Sequence, residues 1–131
     1  MCLDRLDPTI KRKSGKGYKV VSKRDGKYLS EFLHPDGRGA SCKFKFPVGK
    51  WVTDKNTDII VVFAGDGASY PSGFHIFKTK RAAERWGLGF DFLPYRLVII
   101  KVEYKDVVAT GKLNGLSAVV ARQLINKGEV D

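Results

Sequence analysis

The sequence has few of the residues from which metal sites, disulfide frameworks and membrane spans are built. Its two cysteines, Cys2 and Cys42, and its two histidines, His34 and His75, lack the spacing of a zinc site. The first residues include acids and no apolar segment, so we expect no export signal and two free thiols. The longest apolar run, 59–64, is far shorter than the ~18 residues of a membrane span. We therefore expect no metal, no cofactor, no membrane association and a cytoplasmic location.

Acidic residues are also scarce, with 14 Asp and Glu against 24 Lys and Arg, a net charge of +10. Between residues 11 and 27, eight cations face a single acid, which gives a net charge of +7. Such a block attracts phosphate groups or an acidic protein surface. We therefore predict a basic face that binds an anionic partner, either nucleic acid or an acidic or nucleic-acid-binding protein. The alternative is a solvated arm that only keeps the chain soluble. The predicted binding residues are Lys11, Arg12, Lys13, Lys16, Lys19, Lys23, Arg24, Lys27, Lys43, Lys45 and Lys50.

The length of 131 residues and the hydrophobic content of 43% are typical of one globular domain. The stretch 11–17 is rich in Lys and Gly, which favours a mobile segment. We predict a basic N-terminal arm over 1–17 and a single α+β domain over 18–131. No pattern predicts an oligomeric state.

Alternating and β-branched runs predict most of the chain to be strand. Asp25-Gly26 and Asn114-Gly115 are strong signals for two-residue hairpin turns. The segment 116–126 fits a strand, and its apolar spacing also tolerates a helix. The predicted strands are 18–21, 27–31, 43–46, 58–64, 74–77, 96–104, 106–113 and 116–125.

One short helix is predicted, with Thr79 as its N-cap and Gly87 at its end. Ala82, Ala83 and Trp86 would pack inward from it. The expected fold is α+β, a mostly antiparallel sheet of about six to seven strands with one short helix (79–87). The segment 65–73 is rich in glycine and is predicted to be a loop.

Aromatic residues are interleaved with lysines in the first half of the chain. Such a pattern suits nucleobases that stack on a sheet beside lysines that bind phosphate. It also suits a half-buried strand whose aromatic side chains lie in the core. The aromatic residues concerned are Tyr18, Tyr28, Phe44, Phe46 and Trp51.

The chain begins with Met-Cys-Leu-Asp and continues through Gly49-Lys50-Trp51, the segment 72–77 and Asp106-Val107-Val108-Ala109. Over these segments it resembles small accessory proteins encoded by bacteriophages. It implies a phage origin and a host-interacting role in the host cytoplasm. A host nucleic acid, or a host complex for nucleic-acid handling or defence, would then be the partner.

The segment Gly73-Phe74-His75-Ile76-Phe77, a short helix and a long hydrophobic strand are also similar to the central part of ADP-ribosyltransferase folds. This similarity implies a nicotinamide pocket lined by Gly73, Phe74 and His75, with Tyr18 or Lys19 near the bound NAD. Tyr104, on the long strand, is a further candidate for the pocket. An ADP-ribosyltransferase-like or nucleotide-binding domain is therefore the alternative function.

His75 has two interpretations, as a core residue or as the polar floor of a cleft. On a strand, His75 and Phe77 point one way, while Phe74 and Ile76 point the other way. The chain has no late Glu-x-Glu or Gln-x-Glu element of the kind that ADP-ribosyltransferases carry. A non-catalytic binding protein is therefore favoured over an enzyme.

Overall fold

The computed structural model describes residues 3–29, 45–55, 59–61, 69–88 and 96–130. These residues form nine strands and one helix. The elements are β1 (Arg5–Leu6), β2 (Ser14–Arg24), β3 (Lys27–Leu29), β4 (Trp51–Thr53), β5 (Ile59–Val61), β6 (Ser69–Pro71), β7 (Phe74–Phe77), α1 (Lys80–Leu88), β8 (Arg96–Leu113) and β9 (Leu116–Glu129).

Seven of the strands form one sheet in the order β1-β8-β2-β7-β9-β4, with β3 paired to β2. All strand pairs of this sheet are antiparallel. Because β8 also pairs with β9, the strands β2, β7, β9 and β8 close into a ring. β5 and β6 form a separate two-stranded sheet. The predicted antiparallel α+β fold with one short helix is confirmed, and the described residues hold more strands than predicted.

The two longest strands of the ring, β8 and β9, form one long hairpin. Asn114 and Gly115 have φ values of 50° and 76°, as expected for a two-residue hairpin turn with both central residues left-handed. The strand prediction for 116–125 is confirmed, and the helical alternative is wrong. β8 is a single strand of 18 residues where the sequence predicts two. At the predicted break, Asp106 has a φ of 58°, and the register with β9 shifts just after it. Such an irregularity bends a strand without ending it.

The segment predicted as a basic arm contributes to the sheet. Leu3 is buried, β1 pairs with β8, and β2 begins at Ser14, before the predicted start of the domain. The glycines of this segment have a packing role. A Cβ on Gly15 would lie 2.7 Å from the Tyr104 hydroxyl, and one on Gly17 would lie 2.6 Å from the Phe77 carbonyl oxygen. Glycine at these positions permits close approach between strands. The composition of the segment instead predicts a mobile stretch.

The apolar residues form two clusters on the two faces of the sheet. On β7, Phe74 and Ile76 belong to the cluster inside the ring, and Phe77 belongs to the outer cluster beneath α1. Both faces of this strand are therefore buried. Other members of the inner cluster are Val21, Phe46, Val98, Ile100, Val102, Tyr104 and Leu124. Other members of the outer cluster are Leu3, Val20, Tyr70, Ala82, Ala83 and Val120.

The helix α1 begins as predicted. The Ala82 amide donates a hydrogen bond to the Thr79 hydroxyl at 3.1 Å, so Thr79 is the N-cap. Ala83 is buried, and the ring of Trp86 lies 5.8 Å from that of Phe77. The helix continues through Gly87 to Leu88, one residue beyond the predicted end. Among the described residues, none of the helical structure has the length and apolar character required to cross a membrane.

Tertiary contacts also create strands where the sequence predicts none. β4 lies outside every predicted strand, and β6 lies in the predicted loop 65–73. The hairpin at Asp25-Gly26 is confirmed by φ values of 50° and 75°. Of the predicted strand 43–46, residues 43 and 44 lie outside the described residues, and Phe46 is buried as predicted. The predicted strand 58–64 is described only over β5.

Candidate anion-binding site

An open cavity of about 630 Å³ lies between the N-terminal segment and the end of the ring. Lys11, Arg12 and Lys16 line it from the N-terminal segment, and Lys78 lines it from the end of β7. Asp7 is the single acid among the lining residues. We call this cavity, with its four cations, the basic groove.

The N-terminal segment is held in place beside the groove by hydrogen bonds to β8. The Asp7 amide donates to the Thr110 carbonyl oxygen at 2.8 Å, and the Thr110 hydroxyl donates to the Asp7 carboxylate at 2.8 Å. Further along, the Val107 amide donates to the Lys13 carbonyl oxygen at 3.1 Å. These bonds fix the backbone from which Lys11 and Arg12 project.

Tyr104 lines the basic groove, as does Val119. The ring of Tyr104 occupies the space above Gly15, where a side chain would collide with it. Burial raises the pKa of the Tyr104 phenol, and the positive charge of Arg12 partly opposes that rise. The phenol is therefore neutral at pH 7 and carries a hydroxyl that can donate to an anion.

The remaining predicted cations are distributed over different parts of the molecule. Lys13, Lys27, Lys45 and Lys50 are exposed and do not line the groove. Lys23 is half-buried, and its ammonium group lies 2.9 Å from the Glu129 carboxylate. Lys43 and the side chain of Arg24 lie outside the described part of the chain. The predicted set is therefore only partly assembled into one surface.

Lys19 has a different location from the one expected of a surface cation. It is buried inside the ring, where its ammonium group donates to the His75 carbonyl oxygen at 3.0 Å. The rings of Phe46 and Phe74 lie 5.9 and 6.0 Å from this nitrogen. Desolvation lowers the pKa of Lys19 to about 8. This placement removes Lys19 from the exposed basic face, because alternate residues of β2 point into the ring.

The segment Gly73–His75 is packed inside the protein and does not line the groove. Phe74 and His75 are 4% and 6% exposed. Gly73 lies so close to β9 that a Cβ on it would be 2.9 Å from the Ala121 carbonyl oxygen. Of the four residues predicted to line a pocket, Tyr104 is the one that does so.

His75 is part of a buried hydrogen-bond chain. The Leu3 amide donates to the Tyr70 hydroxyl at 2.8 Å, and that hydroxyl donates to His75 Nε2 at 3.0 Å. Burial, together with the charge of Lys19, lowers the pKa of His75 to about 3, although a hydrogen bond with the backbone of Gly73 opposes the shift. The imidazole is therefore neutral at pH 7. These partners give His75 a role in joining the N-terminal segment to β6 and β7.

Several lining residues of the groove are absent from the sequence-based set, among them Lys78 and Thr110. Lys78 follows β7 directly, and Thr110 lies on β8 far from the basic block. The pairing of β2 with β7 brings Lys78 to the N-terminal segment, and the pairing of β1 with β8 brings Thr110 there. The one available signal was the outward position of Lys78 after a buried strand. Within the described ranges, no three His, Cys, Asp or Glu side chains lie together as a metal site would require.

Comparison of the chain with protein-family models, with curated protein sequences and with solved structures gave no match.

Proposed function

We propose that this protein is a non-catalytic binding protein whose basic groove docks the phosphate backbone of a nucleic acid. The observation that supports this most strongly is the placement of Lys11, Arg12, Lys16 and Lys78 around one open cavity with a single acid. Phosphate contacts of this kind supply most of the affinity of non-specific nucleic-acid binding.

The size and chemistry of the groove suit a phosphate-bearing ligand. Its volume of about 630 Å³ falls within the usual range of ligand sites. Arg12 can bind two phosphate oxygens with its planar guanidinium group, whereas a lysine acts as a point charge. The neutral hydroxyl of Tyr104 adds a hydrogen-bond donor. The protein thus offers both charge and directed donors to an anion.

The net charge of the chain favours an extended polyanion over a small ligand. Its value of +10 draws a polyanion to the surface from a distance and increases the rate of encounter. The resemblance to phage accessory proteins favours a nucleic acid of the host, or one held in a host complex, as the natural target. The alternative of a nucleotide pocket at Gly73–His75 has less support, because Phe74 and His75 are buried.

Fluorescence anisotropy with labelled DNA and RNA at about 50 mM salt tests the proposal, since phosphate binding is strong at low salt. The double variant Lys11→Gln/Arg12→Gln is expected to weaken binding by on the order of tenfold. The matched control Lys55→Gln/Arg85→Gln removes the same charge from two exposed residues outside the groove. It should retain affinity close to wild type.

Two results would reject the proposal. One is the absence of nucleic-acid binding at low salt, which would direct attention to an acidic protein partner. The other is equal loss of affinity in the groove variant and the control, which would show that only total charge matters.

A further inference from the structure

A second surface with nucleic-acid chemistry lies on the outward face of the sheet. Lys16 lies opposite Glu103, and Glu103 lies opposite Ile125. Ile125 in turn lies opposite Trp51. Side chains of directly opposed residues project from the same face of a sheet, so these four form one row across β2, β8, β9 and β4.

Trp51 is notable in this row because it is exposed. Its side chain is 45% exposed, and among the described residues only Val48 is another large hydrophobic residue with comparable exposure. Phe44 lies outside the described residues, and the other three aromatic residues of the predicted stacking pattern are more buried than Trp51. Phe46 is fully buried, and Tyr18 and Tyr28 are half-buried against the two clusters. Trp51 therefore keeps nearly half of its surface open to solvent.

One lysine contacts this tryptophan, and two more lie along the same face. The Lys105 ammonium group lies 4.3 Å from the centre of the Trp51 ring. Lys101 and Lys105 alternate outward along β8 on either side of Glu103, and the ammonium group of Lys127 lies 3.5 Å from the Glu103 carboxylate. We call the surface formed by Trp51, Ile125, Lys101, Lys105 and Lys127 the tryptophan face.

We propose that the tryptophan face binds single-stranded nucleic acid, with an unpaired base stacked on Trp51 and neighbouring phosphates held by Lys105 and Lys101. This inference rests on the proposed function and names the form of nucleic acid that the protein prefers. An exposed aromatic ring beside lysines is the arrangement by which sheet surfaces hold single strands. A duplex hides the faces of its bases and could offer only phosphates to the same lysines.

Charge argues against a second copy of the chain as the occupant. Two copies would bring together surfaces of a protein whose net charge is +10, and the face itself has three lysines against two nearby acids, Glu103 and Asp106. A polyanion is complementary to this surface, whereas two copies of the same positively charged surface repel each other. Lys16 lies both in the row of Trp51 and in the basic groove, so one strand could contact both surfaces.

The test uses the two tryptophans of the chain. In the variant Trp86→Phe, Trp51 is the only tryptophan left, so tryptophan fluorescence reports on this residue alone. Titration with an unlabelled single-stranded oligonucleotide at about 50 mM salt should quench its emission, because a stacked base contacts the indole, and the matching duplex should quench it far less. Anisotropy with Trp51→Ala should show single-strand affinity lower by roughly 5- to 150-fold, the equivalent of one lost stacking contact. Duplex affinity should change less than twofold, and Trp51→Phe should retain most of the single-strand affinity.

The outcomes separate this inference from the proposed function. If Trp51→Ala binds single strands as well as wild type, the tryptophan face is not a base-stacking site, while groove-dependent binding can still hold. If neither single strands nor duplexes bind, both proposals are overturned. If wild type is a dimer that Trp51→Ala converts to a monomer without change in oligonucleotide affinity, the face is an interface between copies, and the inference is wrong.

Discussion

Lys19 holds an ammonium group inside the ring of strands, where two aromatic rings and one carbonyl oxygen replace water. No carboxylate of the described residues forms an ion pair with it, and desolvation lowers its pKa to about 8. The group is therefore mostly charged at pH 7 and destabilises the folded state relative to the unfolded chain, where its pKa is near 10.5.

Replacement of this lysine should stabilise the protein. A shift from 10.5 to about 8 corresponds to about 3.5 kcal/mol, at about 1.4 kcal/mol per unit. The lost hydrogen bond from the charged ammonium group to His75 offsets about 1.5 kcal/mol of that gain. We therefore expect Lys19→Met to raise the free energy of unfolding at pH 7 by about 2 kcal/mol, measured by urea denaturation.

The pH dependence provides the control for Lys19. Because the folded-state pKa lies below the unfolded one, wild-type stability should rise between pH 8 and 10.5, as the lysine loses its proton. Lys19→Met should lack this rise. A variant that is less stable than wild type at pH 7, with an unchanged pH profile, would contradict the account of Lys19.

His75 gives a second titration in the acid range. Its pKa is lowered from 6.5 to about 3, so the unfolded state binds a proton that the folded state does not. The stability contributed by neutral His75 is complete above pH 6.5 and is lost as pH falls toward 3. The slope from this group approaches about 1.4 kcal/mol per pH unit.

The variant His75→Gln separates this effect from the titration of carboxylates. Urea denaturation between pH 7 and 4 should show a slope for the variant that is smaller by close to one proton. Identical slopes in the two proteins would mean that His75 is accessible to protonation in the folded state.

At the level of elements, β2 depends on the absence of a side chain at Gly17. A Cβ there would lie 2.6 Å from a backbone oxygen of β7 and 2.7 Å from the Ile76 side chain, so the contact of β2 with β7 would have to open. We expect Gly17→Ala to lower the free energy of unfolding by about 3 kcal/mol, the upper end of typical overpacking effects.

Gly87 provides the matched control for this prediction. It lies in α1, and a Cβ on it would meet no atom within 4 Å. Alanine favours helix over glycine, so Gly87→Ala should be neutral or stabilise by up to about 1 kcal/mol. Thermal or urea denaturation compares the two variants. Equal effects of both substitutions would show that β2 and β7 do not approach as closely as described.

Local signals in the sequence were sufficient for the elements that local chemistry determines. The turn at Asn114-Gly115, the hairpin at Asp25-Gly26 and the N-cap at Thr79 all depend on residues within four positions of one another. They were therefore predicted correctly. The strands β1, β4 and β6 are short and lack an alternating pattern of their own. They exist because a long strand or a partner from elsewhere in the chain pairs with them, and no local signal reports that.

The candidate site was predictable to a smaller extent. The basic block located three of the four groove cations, Lys11, Arg12 and Lys16. The same block includes Lys19, whose inward position depends on where β2 begins and which face it turns toward the ring. Lys78 joins the groove only through the closure of the sheet. The charge pattern of the sequence thus identifies the segment that contributes to the basic groove. It does not identify which cations of that segment line the groove.

For the whole molecule, the arrangement of charge is the feature that links fold and function. The ring places the ends of β2, β7 and β8 near one another, and the basic groove forms there. The same sheet carries Trp51 on its outward face. One rigid scaffold therefore presents two neighbouring surfaces that share Lys16, which suits a strand that passes from one to the other.

The dependence of nucleic-acid affinity on salt tests the central claim most directly. Log Kd should be measured against log salt concentration for wild type, Lys11→Gln/Arg12→Gln and Lys55→Gln/Arg85→Gln. Because each neutralised phosphate contributes ~0.7 to 0.9 to the slope, the groove variant, which lacks two cations, should have a slope smaller than wild type by about 1.4 to 1.8. The control should keep the wild-type slope. One common slope for all three proteins would contradict phosphate docking in the basic groove.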